Sequence, residues 1–332
     1  MKVVALEEHF VTPDVLAAWH ALPPDLRDPS DRQIKGELRH KLLDLSDARL
    51  RRMDATGVDV QVLSLTTPAV QNLEPADAVL LARASNDLVA ATVRGRQDRF
   101  QGFATLPTPD PQAAARELER AVVDLRLNGA MLCGRTRDRN VDHPDFLPIF
   151  ETAAALRAPL YLHPQAPRPA VRDVYYAGFG EQLDVHFATG GVGWHYETGI
   201  QALRLVMSGL FDRLPDLQLI LGHWGEVLLF YLDRVDMLSG EAVSASGLKH
   251  PISHYFRRNM FVTPSGIFSQ RYLRWATEVL GAERIMFSAD DPYVSAPEGG
   301  AQGFLGEAEL SDDDRALIAG LNWDRICSAI LR

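Results

Sequence analysis

Five residues of the types that bind metals or move protons stand at the ends of short apolar runs. Glu7 and His9 close Val3–Leu6, His163 closes Pro159–Leu162, His223 follows Leu217–Gly222 and Asp290 follows Arg284–Ala289. Runs this short, apolar and in part β-branched, read as buried strands. Side chains alternate faces along a strand, so Glu7 and His9 are expected to point one way and Glu8 the other. Glu7, His9, His163 and Asp290 together form a mixed nitrogen–oxygen set that suits one divalent metal ion; zinc is favoured, with manganese or magnesium as alternatives. His223 is expected outside that set as an acid–base group facing an open coordination position, the layout of a catalytic rather than a structural site. Each residue alone is explained more simply as a hydrogen-bonded strand end. Three histidines and an aspartate on one rim are not, because burying them unpaired would cost several kcal/mol.

The elements that must position them alternate along the chain. Strands are expected at 3–9, 58–65, 100–106, 129–133, 159–163, 217–223, 260–264 and 284–290, nearly all separated by helical patterns. Regular βα alternation implies a parallel sheet, and eight units in 332 residues favour a closed (β/α)₈ TIM barrel of the α/β class. In that fold the active site lies at the C-terminal ends of the strands, where the five residues stand. No G-x-G-x-x-G follows a strand, which weakens a dinucleotide-binding alternative. No composition shift or repeat marks a boundary, so residues 1–332 are expected to form one domain. Residues 11–44, broken by Pro13, Pro23, Pro24 and Pro29 and charged at Asp25, Arg27, Asp28, Asp31 and Arg32, read as a surface loop insertion with short helical pieces placed to cover the site. Residues 164–193 lack a period.

A net charge of −10 argues against nucleic acid and anionic membrane surfaces as partners. No apolar run approaches the ~20 residues that span a bilayer, no signal peptide is read at the opening strand, and Cys133 and Cys327 make no disulfide framework. A cytoplasmic protein is the expectation.

The fragments ALEEHF, PLYLHP, ILGHWGE and FSADDP, in this order, resemble the metal-dependent amidohydrolase superfamily. The similarity extends through LLDLSDARLRRMDATGVDVQVLSLTTPAVQ and ALRLVMSGLFDRLPDLQLILGH to Asn322, and is nearest to the non-oxidative aromatic decarboxylases that act on γ-resorcylate and related dihydroxybenzoates. The resemblance implies metal ligation by Glu7, His9, His163 and Asp290, and proton transfer or substrate orientation by His223 with Glu226. It also implies a supporting arginine at Arg234, a small aromatic carboxylate as substrate, and a homodimer or homotetramer. The run Val227–Tyr231 is a candidate for that interface or a helix packed on the barrel. Two departures bear on the pocket: Asp291 and Tyr293 stand where relatives carry tryptophan and phenylalanine, and Cys133-Gly134 where they carry Asn-Gly. By resemblance, Asp290 protonates the ring carbon that bears the carboxylate. The alternative is a metal-dependent hydrolase of an ester, amide or lactone, disfavoured by Glu7 at the first ligand position and by a fourth strand without lysine; a barrel that has lost activity is a third reading.

Outside that set, Trp194, His195 and Glu197 read as helix-opening surface residues, with a pocket-facing His195 as the minority reading. Trp224 reads as pocket wall or core, Cys133 as a packed strand-end thiol, and His20, His40, His143, His250 and His254 as solvated. Asp312–Asp314 suit a helix start.

Overall fold

In the computed structural model, which describes residues 1–294 and 299–332, all strand ladders are parallel and helices intervene between them. The strands, in order, are Val4–Phe10, Val60–Leu65, the split pair Phe100–Gly102 and Ala104–Thr105, Ala130–Cys133, Leu160–His163, Leu219–Leu221, Met260–Val262 and Phe287–Ser288. Counting the split pair as one strand, eight among the described residues form the barrel.

The ladders form two sheets that meet at two seams. At the first, Phe103 donates from its N–H to Leu63 while Ala104 donates to Gly129, so the third strand passes from one sheet to the other. At the second, Val262 bridges Ile285 and accepts from Met286 N–H at 2.9 Å. Every strand, or the residue adjoining it, sends a side chain inward: Val4 and Leu6, Val60 and Val62, Phe103 within the split pair, Met131, Tyr161, Ile220, Phe261, and Met286 just before the last strand. Trp323 and Ile326 of the closing helix Asn322–Ala329 complete this inner cluster. A larger apolar layer lies outside it, beneath the helices.

Residues 11–44 carry more regular structure than their prolines suggest. Pro13 opens the helix Pro13–Ala21, where a missing N–H costs nothing, and Gly36–Leu43 forms a second helix. Trp19 is buried and donates to Ala69 O at 2.7 Å, and Asp28, expected at the surface, is buried too. Residues 164–193 hold the short helices Pro169–Tyr175 and Glu181–His186, too brief to show a period. No helix among the described residues is long and apolar enough to cross a membrane.

Candidate active site

The first strand delivers Glu7 and His9 by a bulge rather than by simple alternation. Val4 and Leu6 point into the barrel while Ala5 and Phe10 pack outside it. Uninterrupted alternation would therefore aim Glu8 and Phe10 inward. The register instead slips between Ala5 and Glu8, with Glu7 in the left-handed region at φ 65°. That slip reverses the parity, so Glu7 and His9 face the mouth of the barrel and Glu8 faces out to Gln61 Nε2 (2.9 Å) and Ala289 N–H (2.8 Å).

Glu7 is completely buried. Its Oε2 accepts from the Tyr161 and Ser265 hydroxyls, and Tyr161 is in turn held by Thr263 Oγ1 at 2.8 Å. Gly222 keeps this cradle open, since a Cβ there would stand 2.6 Å from Ser265 Oγ and 3.2 Å from Glu7 Oε2. Glu7 Oε1 has no hydrogen-bond partner among the described residues, and neither has His9 Nε2. His163 Nδ1 lies 2.8 Å from Pro164 O; a carbonyl only accepts, so Nδ1 carries the proton and Nε2 is left to face Glu7 Oε1 at 3.2 Å. The donor atoms of Glu7, His9 and His163 lie within 4.8 Å of one another. Asp290 Oδ1 stands 3.4 Å from His9 Nε2. Orphaned buried oxygen and nitrogen atoms converging in this way fit a divalent cation.

The charges respond to the crowding. Burial opposes ionisation of Glu7, but the close contact with His163 and the charges of His223, His163 and His9 overcome it and hold Glu7 at about 2. Burial, then the charge of His163, pushes His9 well below the usual imidazole range. His163 moves the other way: burial opposes its charge, and Cys133 and Glu7 more than compensate. Asp290 is raised well above the carboxylate range by burial and by Glu7.

A second cluster adjoins the first. Glu226 is completely buried and joins two imidazoles, accepting from His223 Nδ1 at 2.8 Å and His195 Nδ1 at 2.9 Å. His195 Nε2 also points to Gly190 O at 3.1 Å. Both of its partners only accept, so His195 is an imidazolium, and the Glu226 hydrogen bond raises it against the pull of burial. His223, bound through Nδ1, keeps Nε2 free of protein hydrogen bonds among the described residues.

His223 and Asp290 lie beyond the ends of their strands, not on them, because the ladders stop at Leu221 and Ser288. Both adopt left-handed backbone, at φ 47° and 60°. Helix Leu228–Ser246 turns Leu228, Leu229 and Leu232 inward, which leaves Arg234 exposed on the face that carries Phe230 and Tyr231; the structure does not bring it to these side chains.

His195 is the residue whose surface reading the structure corrects, since nothing in a helix-opening W-H-Y shows that a buried glutamate waits across the barrel mouth. Trp194 lies edge-on to His163 at 6.2 Å and Glu197 stands 3.7 Å from Arg135, so neither is a surface cap. Tyr161 was legible in principle: it precedes His163 by two on one strand and so shares its face. Asp291 does not line the pocket. It turns toward Arg49 (3.7 Å) and Arg52 (3.5 Å), while Tyr293 supplies the aromatic wall, edge-on to His9 at 5.5 Å. Cys133 is buried opposite His163 on the neighbouring strand.

Known proteins share this architecture. The amidohydrolase family profile matches residues 18–323. A γ-resorcylate decarboxylase from a Polaromonas species is 38% identical over 326 residues, covering 95% of each chain. The crystal structure of 5-carboxyvanillate decarboxylase from Sphingomonas paucimobilis superposes with a TM-score of 0.90 at 37% identity, over 98% of this chain and 99% of that one. A dihydroxybenzoic acid decarboxylase from Polaromonas, solved with bound manganese and the inhibitor 2-nitroresorcinol, gives 0.85 at 34% identity, over 98% and 97% of the two chains. A match of this extent, on a parallel barrel with Glu7, His9 and His163 gathered at its mouth, places the chain in the amidohydrolase family.

Proposed function

We propose that this protein is a metal-dependent, non-oxidative decarboxylase, a carboxy-lyase acting on a hydroxylated aromatic carboxylic acid. The observation that carries the reading is the gradient of exposure across the metal-facing groups. The side chains of Glu7 and His9 are 0% exposed and that of His163 is 3% exposed, whereas Asp290 is 14% exposed. Asp290 is therefore the acid that would stand beside the ion and still reach solvent.

Glu7, His9, His163 and Asp290 would hold the ion. When bound, it supplies Lewis acidity and a template for the substrate carboxylate and the adjacent phenolic oxygen. Asp290 delivers its proton to the ring carbon that bears the carboxylate; the bond from that carbon to the carboxylate then breaks, its electron pair restores the aromatic ring, and CO₂ departs. Solvent returns the proton to Asp290. His223, oriented by Glu226, presents Nε2 to the substrate, and Tyr293 and Trp194 provide aromatic walls. Two imidazoles suit zinc and two carboxylates suit manganese; the manganese in the Polaromonas relative favours manganese over the zinc expected from sequence. The exposed side chains of Phe230 and Tyr231 support a homodimer or homotetramer, which light scattering at micromolar concentration measures. Both cysteines are free, which fits the cytoplasm.

The test is turnover of hydroxybenzoic acids in D₂O. One deuterium is expected at the former carboxylate carbon, and Asp290→Asn abolishes it, because an amide has no proton to deliver. A panel of aromatic acids that yields no CO₂, while ester or amide analogues are cleaved, overturns the reading in favour of a hydrolase.

A further inference from the structure

Beside the metal-facing cluster, a cavity of about 490 Å³ is walled by Arg27, Arg135, Arg137, Arg168 and Arg172, against the carboxylates of Asp25, Asp28 and Asp138. Two of the arginines are already engaged. Arg27 donates to the carbonyls of Leu22 and His20, and Arg137 to that of Leu73 and to Glu74. Asp28 is engaged as well, accepting from Ser30 N–H, the Ser30 hydroxyl and Ala166 N–H.

Arg135, Arg168 and Arg172 remain. The Arg135 side chain is 8% exposed, and its Nη1 donates to Gln165 Oε1 and Ala166 O, each at 3.1 Å. Its Nε and the Nε of Arg172 are buried with no hydrogen-bond partner among the described residues. Arg168 and Arg172 make no side-chain hydrogen bond or ion pair among those residues, and the nearest carboxylate to Arg135, Glu197, is 3.7 Å away. Burial works against the Arg135 cation; the charges of Glu197 and then Asp28 oppose that only in part, and the smaller contributions of Arg168 and Arg172 add to it. Idle buried donors on Arg135 and Arg172, with the exposed Arg168 beside them, call for an anion, and a planar fork matches a carboxylate in particular. The cavity is close to the chemistry. Ala166, which lines it, is three residues beyond His163, so by chain length it lies within about 10 Å of that residue's backbone.

We propose that Arg135, Arg168 and Arg172 form an oxyanion subsite at the mouth of the barrel that takes a carboxylate-class group of a small molecule. That group is either a second acidic substituent of the substrate, in which case the inference rests on the decarboxylase reading, or a free anion. Calorimetry on the metal-loaded enzyme with benzoate, isophthalate and inorganic phosphate separates the two, alongside CO₂ release from hydroxybenzoic and hydroxyisophthalic acids. With a substrate-borne group, isophthalate binds at least about tenfold tighter than benzoate. The kcat/KM ratio of the diacid over the monoacid follows that preference, and Arg172→Gln and Arg168→Gln, with unchanged melting, bring both ratios to near parity. With a free anion, phosphate binds without displacing benzoate and the same substitutions abolish its binding. A diacid preference that survives both substitutions, or equal affinity for the two acids with no arginine-dependent phosphate binding, overturns the subsite. Arginine-dependent binding of isophthalate or phosphate with no CO₂ from any acid leaves the subsite standing and removes the decarboxylase reading.

Discussion

Replacing Glu226 by glutamine changes one oxygen to an amide nitrogen without changing size, and the geometry says what must follow. Glu226 accepts one Nδ1–H from His223 and one from His195. An amide has one accepting end, so one imidazole loses its partner, and the positive charge of His195 loses its counter-ion inside the protein. Breaking one buried charge-assisted contact costs about 2–4 kcal/mol. The unfolding entropy of a 332-residue chain is about 0.7 kcal/mol/K, so the midpoint of melting should fall by about 3–6 °C. The fall should depend on pH. Glu226 is held below its usual 4.5, chiefly by the charge of His223 acting against burial, so its contribution is present above that value. His195 is held above its usual 6.5, so its contribution is complete below 6.5 and is lost as pH rises through the raised value. The difference between wild type and variant is therefore greatest between pH 4.5 and 6.5 and shrinks in alkali. Initial rates of CO₂ release should drop about 10²–10⁴-fold, because an amide shared between two imidazoles no longer holds His223 in one tautomer. A Glu226→Gln enzyme with kcat within about threefold of wild type and unaltered melting would show that the carboxylate orients nothing.

Without metal, His163 is held well above the usual imidazole range by Cys133 and Glu7 acting against burial, so coordination through Nε2 should displace a proton there, and metal binding should release a proton and tighten as pH rises. Calorimetric heats that do not change between buffers of different ionisation enthalpy would contradict this. Asp291→Asn removes the charge facing the fully buried Arg49 at 3.7 Å and Arg52 at 3.5 Å. It should cost about 1–3 kcal/mol, seen as a lower melting midpoint, and should lower kcat more than it changes metal content, because Asp291 anchors the turn that carries Asp290. A kcat that stays at the wild-type value would show that Asp290 needs no such anchor.

The barrel was legible in the sequence because each strand is a short apolar run set between helical periods, and the inner cluster draws on all of them. The metal-facing groups were legible because glutamate, histidine and aspartate at the ends of buried runs are costly unless an ion or a mutual network satisfies them. What the sequence hid was conformation that no side-chain pattern encodes. The bulge at Glu7 leaves no mark in ALEEHF, and plain alternation reached the right pair for an incomplete reason. The His195–Glu226 contact joins residues 31 apart through backbone turns, beyond the reach of local spacing. Asp291 looked like a pocket charge, since its partners Arg49 and Arg52 lie on the distant helix Asp47–Thr56.

Several of the working residues, though not His9, His163 or His195, share one backbone property. Glu7, His223, Glu226, Ser265 and Asp290 all have positive φ, as do Trp224 and the β-branched Val227. Such conformations cost of order 1–3 kcal/mol each and persist only where the surroundings enforce them. Here the enforcement is visible. The Tyr161 and Ser265 hydroxyls fix Glu7, Trp224 N–H donates to Thr263 O at 2.8 Å, and Tyr293 and Val294 both donate to the carbonyl of Asp290. Below this layer the barrel needs none of that strain, because its inner positions are filled by ordinary apolar side chains. If Glu7 relaxed to plain strand geometry, Glu8 and Phe10 would turn to the mouth, replacing a carboxylate and an imidazole with a carboxylate and a phenyl ring. The bulge therefore gives the first strand both of its metal-facing donors, and the packed barrel beneath offsets what that conformation costs.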